Sequence, residues 1–373
     1  MTRRERTNLS ALTTPVSGLD RKYRQRDAHR TALMRELLER GEPMMRQELA
    51  QATGISLPSI SRILRELAEE GFVAESSVAE GAVGRPSQTA RTSSKLGVVM
   101  GIDLGAQRSR ATVSDLSGAV LHQYVETTPT DLDAAAAAEW AAHLVDAAMA
   151  EESRSLRQLI VCLPARVAGR TRITDPADEI RRLGGTELAS KLSDMIPAFS
   201  HLESDSAMSL VAELDRGGAQ DTSDVVLITL GRTLTAAVAI GGALVRGATG
   251  AAGDLRRLPH GRNSAPIEQF LGSGFRGEGP PDDEFVDALA QVTAALSGTF
   301  EAQAVFFEGP LIPAVREALP RLRQAMQSIL PSPPELKIAT SFDLFSSALG
   351  GAILASQSAR RSVLADLAAV QKC

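Results

Sequence analysis

The chain has 373 residues, with 40 Lys+Arg against 45 Asp+Glu (formal net charge −5), two cysteines and 3% aromatic residues. That length predicts two or three domains with ample material for a buried core, and 23% charged with 43% hydrophobic residues is ordinary for a soluble globular protein. Two cysteines, Cys162 and Cys373, exclude a disulfide framework and a Cys-rich zinc module and fit a reducing cytoplasm. No apolar run reaches membrane-spanning length. The Ala-rich stretch 134–150 comes closest, but Glu139, Trp140, His143 and Asp146 interrupt it. The opening MTRRERTNLS has no apolar core behind it and does not read as a secretory signal. The expectation is a cytoplasmic, multi-domain protein with no membrane partner.

Charge is unevenly spread. Residues 1–95 hold 16 Lys+Arg and 12 Asp+Glu (net +4), against 24 and 33 (net −9) in the remainder. Arg3, Arg4, Arg6, Arg21, Lys22, Arg24, Arg26 and Arg30 concentrate at the start, which reads as a disordered basic arm over 1–27. A basic head on an acidic body suggests that the head meets a polyanion.

Residues 28–40 place Leu33, Met34, Leu37 and Leu38 at helical spacing, and Gly41 and Pro43 stop that helix. A second helix is expected over 45–52, followed by the tight turn Thr53-Gly54-Ile55. Ser56 then caps a third helix from Leu57, with Pro58 in its first turn. Two short helices across a Gly-bearing turn form the DNA-binding helix-turn-helix unit. On the wheel of the third helix Ile60, Ile63, Leu64 and Leu67 share about 100° of arc and face the core. Its other face presents Pro58, Arg62 and Arg65, flanked by Ser59, Ser61 and Glu66. Arginines can take guanine O6/N7 in the major groove, and Ser56, Ser59 and Ser61 suit bases or phosphates. Phe72–Glu75 reads as a wing strand and Thr89–Arg91 as its return. Between them Gly84-Arg85-Pro86 offers Arg85 to a narrow minor groove. A winged helix-turn-helix over 28–92 follows.

From Leu96 the pattern changes. Leu96–Gly105 is an apolar strand ending in Asp-x-Gly, Arg110–Leu116 its hairpin partner, and a long helix follows over about 132–152. The strand 158–163 leads to Pro164, with Cys162 as a small buried apolar residue. Asp224–Gly231 with Ala236–Ile240 repeats the strand-then-glycine hairpin more than 100 residues later. Two such starts point to the duplicated halves of an actin-like fold with a cleft between them.

On these pieces the chain resembles the repressor branch of the ROK family (repressors, open reading frames and sugar kinases), over nearly all of 28–360. Gly101-Ile102-Asp103-Leu104-Gly105 matches the first phosphate loop, Glu203-Ser204-Asp205-Ser206-Ala207 the segment with the family's acidic residue, and Gly247–Asp254 the run into its Glu-x-Gly-His motif. Glu268 follows the position of the zinc loop, and Glu308-Gly309-Pro310 falls at the adenosine end. The resemblance implies a two-lobed α/β actin-like (sugar kinase/ribonuclease H-like) domain over 93–373, behind the α+β winged head.

Several positions depart from the pattern. Family kinases read Asp-x-Gly-Gly-Thr in the first loop, where this chain has Ala106 and Gln107, and Gly-Thr-Gly-x-Gly in the second, where it has Gly231-Arg232-Thr233-Leu234-Thr235. Glycines let backbone amides lie flush against phosphate, and side chains obstruct that approach. No phosphotransfer and no cofactor are expected. Arg257 stands at the family's zinc-ligating His and no Cys lies between 163 and 372, so no metal is expected.

The resemblance carries the sugar-gripping positions onto Ser204, Asp205, Asp254, Arg257 and Glu268, of which Asp205, Asp254, Arg257 and Glu268 form the candidate effector site. An Arg recognises carboxylate or phosphate, so sugar, acidic-sugar and sugar-phosphate effectors all fit. An Arg257–Asp254 or Arg257–Glu268 ion pair filling a disused pocket is the alternative. The leading expectation is a repressor of carbohydrate-related genes, a homodimer or homotetramer on a palindromic double-stranded DNA operator. A sugar kinase with an appended head, and a regulator whose body is only an interaction platform, are the other two readings.

Overall fold

The computed structural model describes residues 18–78, 87–231, 233–271 and 281–370. The chain divides into two compact units, one of residues up to Lys95 together with those from Arg360 onward, the other Leu96–Ala359. Among the described residues no helix is long and apolar enough to cross a membrane.

In the first unit α1 (Gly18–Arg40) starts ten residues before the helix expected at 28, so residues 18–27 of the basic arm are helical. One cation of the arm, Arg26, and Arg30 just after it are held by α3 and its cap. Arg26 pairs with Glu66 at 2.9 Å, and Arg30 with Glu66 at 3.4 Å and with Glu70. Arg30 is only 2% exposed, so it serves the interior of the head and not a polyanion. After β1 (Met44–Met45), α2 (Arg46–Thr53) ends at Gly54, whose φ of +69° lets its N–H close back on the Ala50 carbonyl at 2.9 Å. Then α3 (Leu57–Glu69) carries Ile60, Ile63, Leu64 and Leu67 fully buried, the face its periodicity predicted. Leu33, Met34, Leu37, Leu38 and Leu49 complete this core. Strands β2 (Val73–Val78) and β3 (Ser87–Thr92) pair antiparallel, and β1 adds to the other edge of β3. The wing strands run longer than the tetrapeptide and tripeptide expected. Their cross-strand Ser76–Thr89 hydroxyl contact at 3.0 Å extends the ladder into what reads as loop. Gly84, Arg85 and Pro86 lie outside the described residues.

The second unit is built twice to one plan. Strands β4 (Val98–Leu104), β5 (Arg108–Ser114) and β6 (Val120–Thr127) form a meander, followed by α4 (Ala134–Met149), β7 (Leu156–Leu163), the small hairpin β8 (Ala165–Ala168) and β9 (Arg172–Pro176), α5 (Glu187–Met195) and β10 (Phe199–Ser204). Helix α6 (Asp205–Arg216) leads to β11 (Val225–Leu230), β12 (Leu234–Ile240) and β13 (Ala243–Val245). The short pair β14 (Pro259–His260) and β15 (Ala265–Pro266) follows, then α7 (Glu268–Leu271), α8 (Asp283–Phe300), β16 (Ala304–Glu308), α9 (Ile312–Ile329), β17 (Glu335–Ile338) and α10 (Ser346–Val370).

The sheet orders are β6-β5-β4-β7-β10 and β13-β12-β11-β16-β17. In each, the first strand is antiparallel to its hairpin partner and parallel to the strand after the helices. The two hairpin starts legible in the sequence are therefore the first strands of two equivalent sheets. Each half has its own core, around Ile102, Leu144 and Val161 in the first and Ile228, Phe285 and Phe307 in the second.

Helix α10 approaches β4 and α6 to backbone distance. A Cβ on Gly101 would meet the Ala348 carbonyl oxygen at 2.1 Å, and one on Gly350 the Met208 carbonyl oxygen at 1.8 Å, so only glycine fits there. Cys162 is buried in β7 as expected, its Sγ facing the Ser347 carbonyl at 3.6 Å, and burial pushes its thiol far up.

Candidate functional site

Two sets of side chains are candidates for a recognition site, one in each unit. In the head, the N-cap Ser56 and the α3 residues Pro58, Arg62 and Arg65 are all exposed, beside an exposed Leu57. Neither Arg62 nor Arg65 has an ion-pair partner among the described residues, in contrast to Arg26 and Arg30. Ser56 has the extended backbone of an N-cap, but its hydroxyl bonds the Ser59 hydroxyl at 3.0 Å instead of a backbone amide. Pro58 lacks one of the orphan donors that such a cap would serve. Ser59 and Ser61 are half-buried. Ser61 accepts from Arg46 Nη1 at 3.4 Å, and Arg46 also pairs with Glu75 of the wing at 2.7 Å.

In the second unit a pocket opens between the two halves. Asp205 and Asp254 both line it. Asp254 accepts from Arg256 at 3.0 and 3.2 Å, while Arg257 is exposed and outside the lining. Neither Arg257 ion pair considered from the sequence forms. Glu268 also lies outside the lining, its carboxylate accepting the Leu234 amide at 3.1 Å. Ser204 lines the pocket but spends its hydroxyl capping α6, where it accepts from the Ala207 amide at 3.3 Å. His260 is half-buried against Phe270, bonded to Gln291 at 2.7 Å.

Three charged partnerships across this pocket were not foreseen. Arg166 from β8 pairs with Asp254, and with Asp175 at 3.2 Å. Arg256 reaches Asp175 of β9. Arg246, following β13, grips Glu203 of β10 with two bonds of 2.7 and 3.2 Å. Arg166–Asp254, Arg256–Asp175 and Arg246–Glu203 each link a group of the first half to one of the second, whereas Arg166–Asp175 lies within the first. Glu203 is 3% exposed; burial works to raise its carboxyl, but the bonds from His201 and Arg246 outweigh that and hold it below its ordinary value. Desolvation lowers the Arg166 guanidinium, and the Arg256 charge beside it adds to the effect. Glu203 stood in the recognised motif next to Asp205, so the sequence contained that clue. Arg166, Asp175 and Arg246 carried no local signal.

Beyond the pocket, the ends of β4 and β16 and the start of α6 bring Asp103, Asp205 and Glu308 close enough to repel. Burial pushes Asp103 up to about 7, with the Asp205 charge adding to it and Arg110, 3.9 Å away, opposing it. Burial likewise lifts Asp205 to about 6 against the Ser206 amide bond, and Glu308 to about 7 against a 2.7 Å bond from Thr229.

Residues 99–264 match the model of the ROK family, and residues 31–77 that of the IclR helix-turn-helix domain. The chain carries a ROK family domain behind an IclR-type helix-turn-helix domain. Among curated proteins it is similar to the xylose repressor of Bacillus subtilis (strain 168), 21% identical over 232 residues, and to that of Bacillus spizizenii, 20% identical over 230. Each match covers 61% of this chain, and the chain spans 59% of the length of each repressor. Among solved structures it resembles a ROK family transcriptional regulator described as a homologue of the E. coli MLC protein, with TM-score 0.67 and 17% identity over 92% of this chain and 99% of that one. It also resembles a ROK hexokinase from Thermus thermophilus, with TM-score 0.59 and 20% identity over 71% and 99% of the two chains. At these identities the likeness carries the fold alone.

Proposed function

We propose that the protein is a DNA-binding transcriptional regulator, a cytoplasmic repressor of carbohydrate-related genes whose ROK domain senses a sugar and joins two copies. The observation that carries this reading is the outward face of α3, where Arg62 and Arg65 stand exposed and unpaired while other arginines of the head, Arg26, Arg30 and Arg46, are engaged internally. Two such heads on a symmetric dimer would straddle an inverted repeat, with half-sites about one helical turn or a multiple of it apart. The similarity to two xylose repressors supports both the repressor role and the sugar class.

The pocket favours an uncharged polyhydroxyl ligand over the acidic sugars that Arg257 suggested. Its lining holds Arg166, Arg246 and Arg256 against Asp175, Glu203, Asp205 and Asp254, so every guanidinium already has a carboxylate partner. An added anion would have to displace one of them. A hydroxyl can both donate to the carboxylates and accept from the guanidiniums. A ligand would shift operator occupancy only through unequal affinity for the DNA-competent and incompetent states. Phosphotransfer is disfavoured in this reading, because Ala106, Gln107 and Thr233 occupy positions where family kinases present bare backbone or a hydroxyl to phosphate.

The reading is tested by thermal-shift screening of neutral sugars, sugar acids and sugar phosphates, followed by operator binding in the presence of each hit. Stabilisation confined to neutral sugars supports the pocket assignment. Stabilisation by sugar acids alone would return the anion-binding alternative, and ATP turnover on any of these sugars would replace the regulator with a kinase.

A further inference from the structure

The side chains of α3 cannot read DNA unless α3 and the wing are held at a fixed spacing, and one residue bridges them. Arg46 opens α2. Its guanidinium donates from Nη2 to Glu75 Oε1 of β2 at 2.7 Å and from Nη1 to Ser61 Oγ of α3 at 3.4 Å. Arg46 and Glu75 are each about a quarter exposed, at 28% and 26% of their side-chain surface, so water does not fully screen the pair. The contacts join three elements: the first helix of the turn, the recognition helix and the wing. Elsewhere, α3 is tied to α1 through Glu66 and Glu70, so its far end is already fixed by ion pairs. The Arg46 contact is the corresponding tie on the side of the wing.

We propose that Arg46 is a positioning residue for DNA recognition, acting through Ser61 and Glu75 to set the wing against the recognition helix, and that Ser61 serves this bridge in place of a base contact. The proposal rests on the DNA-binding reading above. Its physical basis is that a recognition surface needs the side chains behind it locked by their own hydrogen bonds. Such a bridge explains an acidic residue at the root of a wing whose partner would be polyanionic.

Glu75 supplies a test in which electrostatics and positioning predict opposite signs. If Glu75 were only a charge near phosphate, Glu75→Gln would tighten binding to every duplex by removing a repulsion. If Glu75 anchors Arg46, Glu75→Gln weakens binding to the preferred sequence by about fivefold, the upper range for a partly exposed ion pair, while affinity for scrambled DNA stays level or rises. The experiment uses the full chain and a duplex that it enriches from a random library. Fluorescence anisotropy is recorded for the native protein, Glu75→Gln, Arg46→Ala and the exchanged pair Arg46→Glu/Glu75→Arg, each checked for an unchanged melting temperature of the head.

The expected results are a lowered ratio of specific to non-specific affinity in both single variants, recovery of part of it in the exchanged pair, and an unchanged salt slope in Arg46→Ala. Tighter or equal binding of Glu75→Gln to the enriched duplex overturns the proposal. So does a salt slope reduced by about one in Arg46→Ala, the mark of a direct phosphate contact. Failure of the native chain to enrich any sequence would instead remove the DNA-binding reading, and the bridge with it.

Discussion

A carboxylate as buried as Glu203 has to find partners within reach, and three side chains surround it: the guanidiniums of Arg246 at 2.7 Å and Arg170 at 3.7 Å and the imidazole of His201 at 3.4 Å. Only Arg246 comes from the other half of the ROK domain. Removing it leaves the carboxylate with its weaker neighbours, so Arg246→Ala should cost on the order of 2 kcal/mol of domain stability. Chemical denaturation of the variant should show this as a lower midpoint, and the double variant Glu203→Gln/Arg246→Met should regain part of the loss. A midpoint unchanged in Arg246→Ala would mean that the bidentate pair contributes nothing. The pocket also separates two adjacent arginines. Arg256→Met should abolish the thermal shift produced by a neutral sugar, whereas Arg257→Met should leave it intact, because Arg256 lines the pocket and Arg257 faces solvent. Nothing in the sequence distinguishes the two. They sit in a segment without helical or strand periodicity, where a one-residue shift changes which side chain points inward.

At the scale of elements, the helix-turn-helix was legible because its signals are local. Period-3.6 spacing fixed the buried face of α3, and Gly54 marked the turn. The turn's requirement is purely one of backbone conformation, since a Cβ at Gly54 would meet nothing within 4 Å. Gly54→Ala should therefore destabilise the head by only about 1–2 kcal/mol, the left-handed penalty of an L-residue, as read by thermal melting. Arg62→Ala should leave that melt unchanged and weaken binding to an enriched duplex by about 1–3 kcal/mol, roughly five- to 150-fold. The early start of α1 was not legible, because residues 18–27 have no apolar stripe. The contact made there is that of Arg26 with Glu66, a residue 40 positions later.

At the scale of the whole molecule, the repetition of the ROK domain was legible in two hairpin starts, and the sheet orders follow one plan in both halves. The ion pairs crossing the pocket were not, since Arg166–Asp254 and Arg246–Glu203 join residues 88 and 43 positions apart, on elements that only the fold brings together. The cluster of Asp103, Asp205 and Glu308 has a consequence for pH. Their folded pKa values of about 7, 6 and 7 lie above those of unfolded carboxyls, so the folded domain binds more protons between about pH 4 and 7. Stability from these groups is therefore greatest below that window and falls as pH rises through it. Glu152, held down at about 2 by the hydrogen bond from Arg154, works in the opposite sense and loses its contribution as pH drops below about 4. Denaturation midpoints of the ROK domain should thus decline from about pH 5 to pH 8, and Asp103→Asn should flatten that decline. A rise across the same interval would show that these carboxyls are not buried as described.

If the exposed arginine face of α3 reads a DNA sequence, the protein must prefer one duplex over another of equal length and charge. The most direct measurement is fluorescence anisotropy of the full chain on DNA from upstream of its own coding region, against a scrambled duplex, at two salt concentrations. The expected result is a preference of about 10³-fold or more for the native sequence, with both affinities falling steeply as salt rises. Weak and equal binding to the two duplexes, with no sequence enriched from a random library, would contradict it.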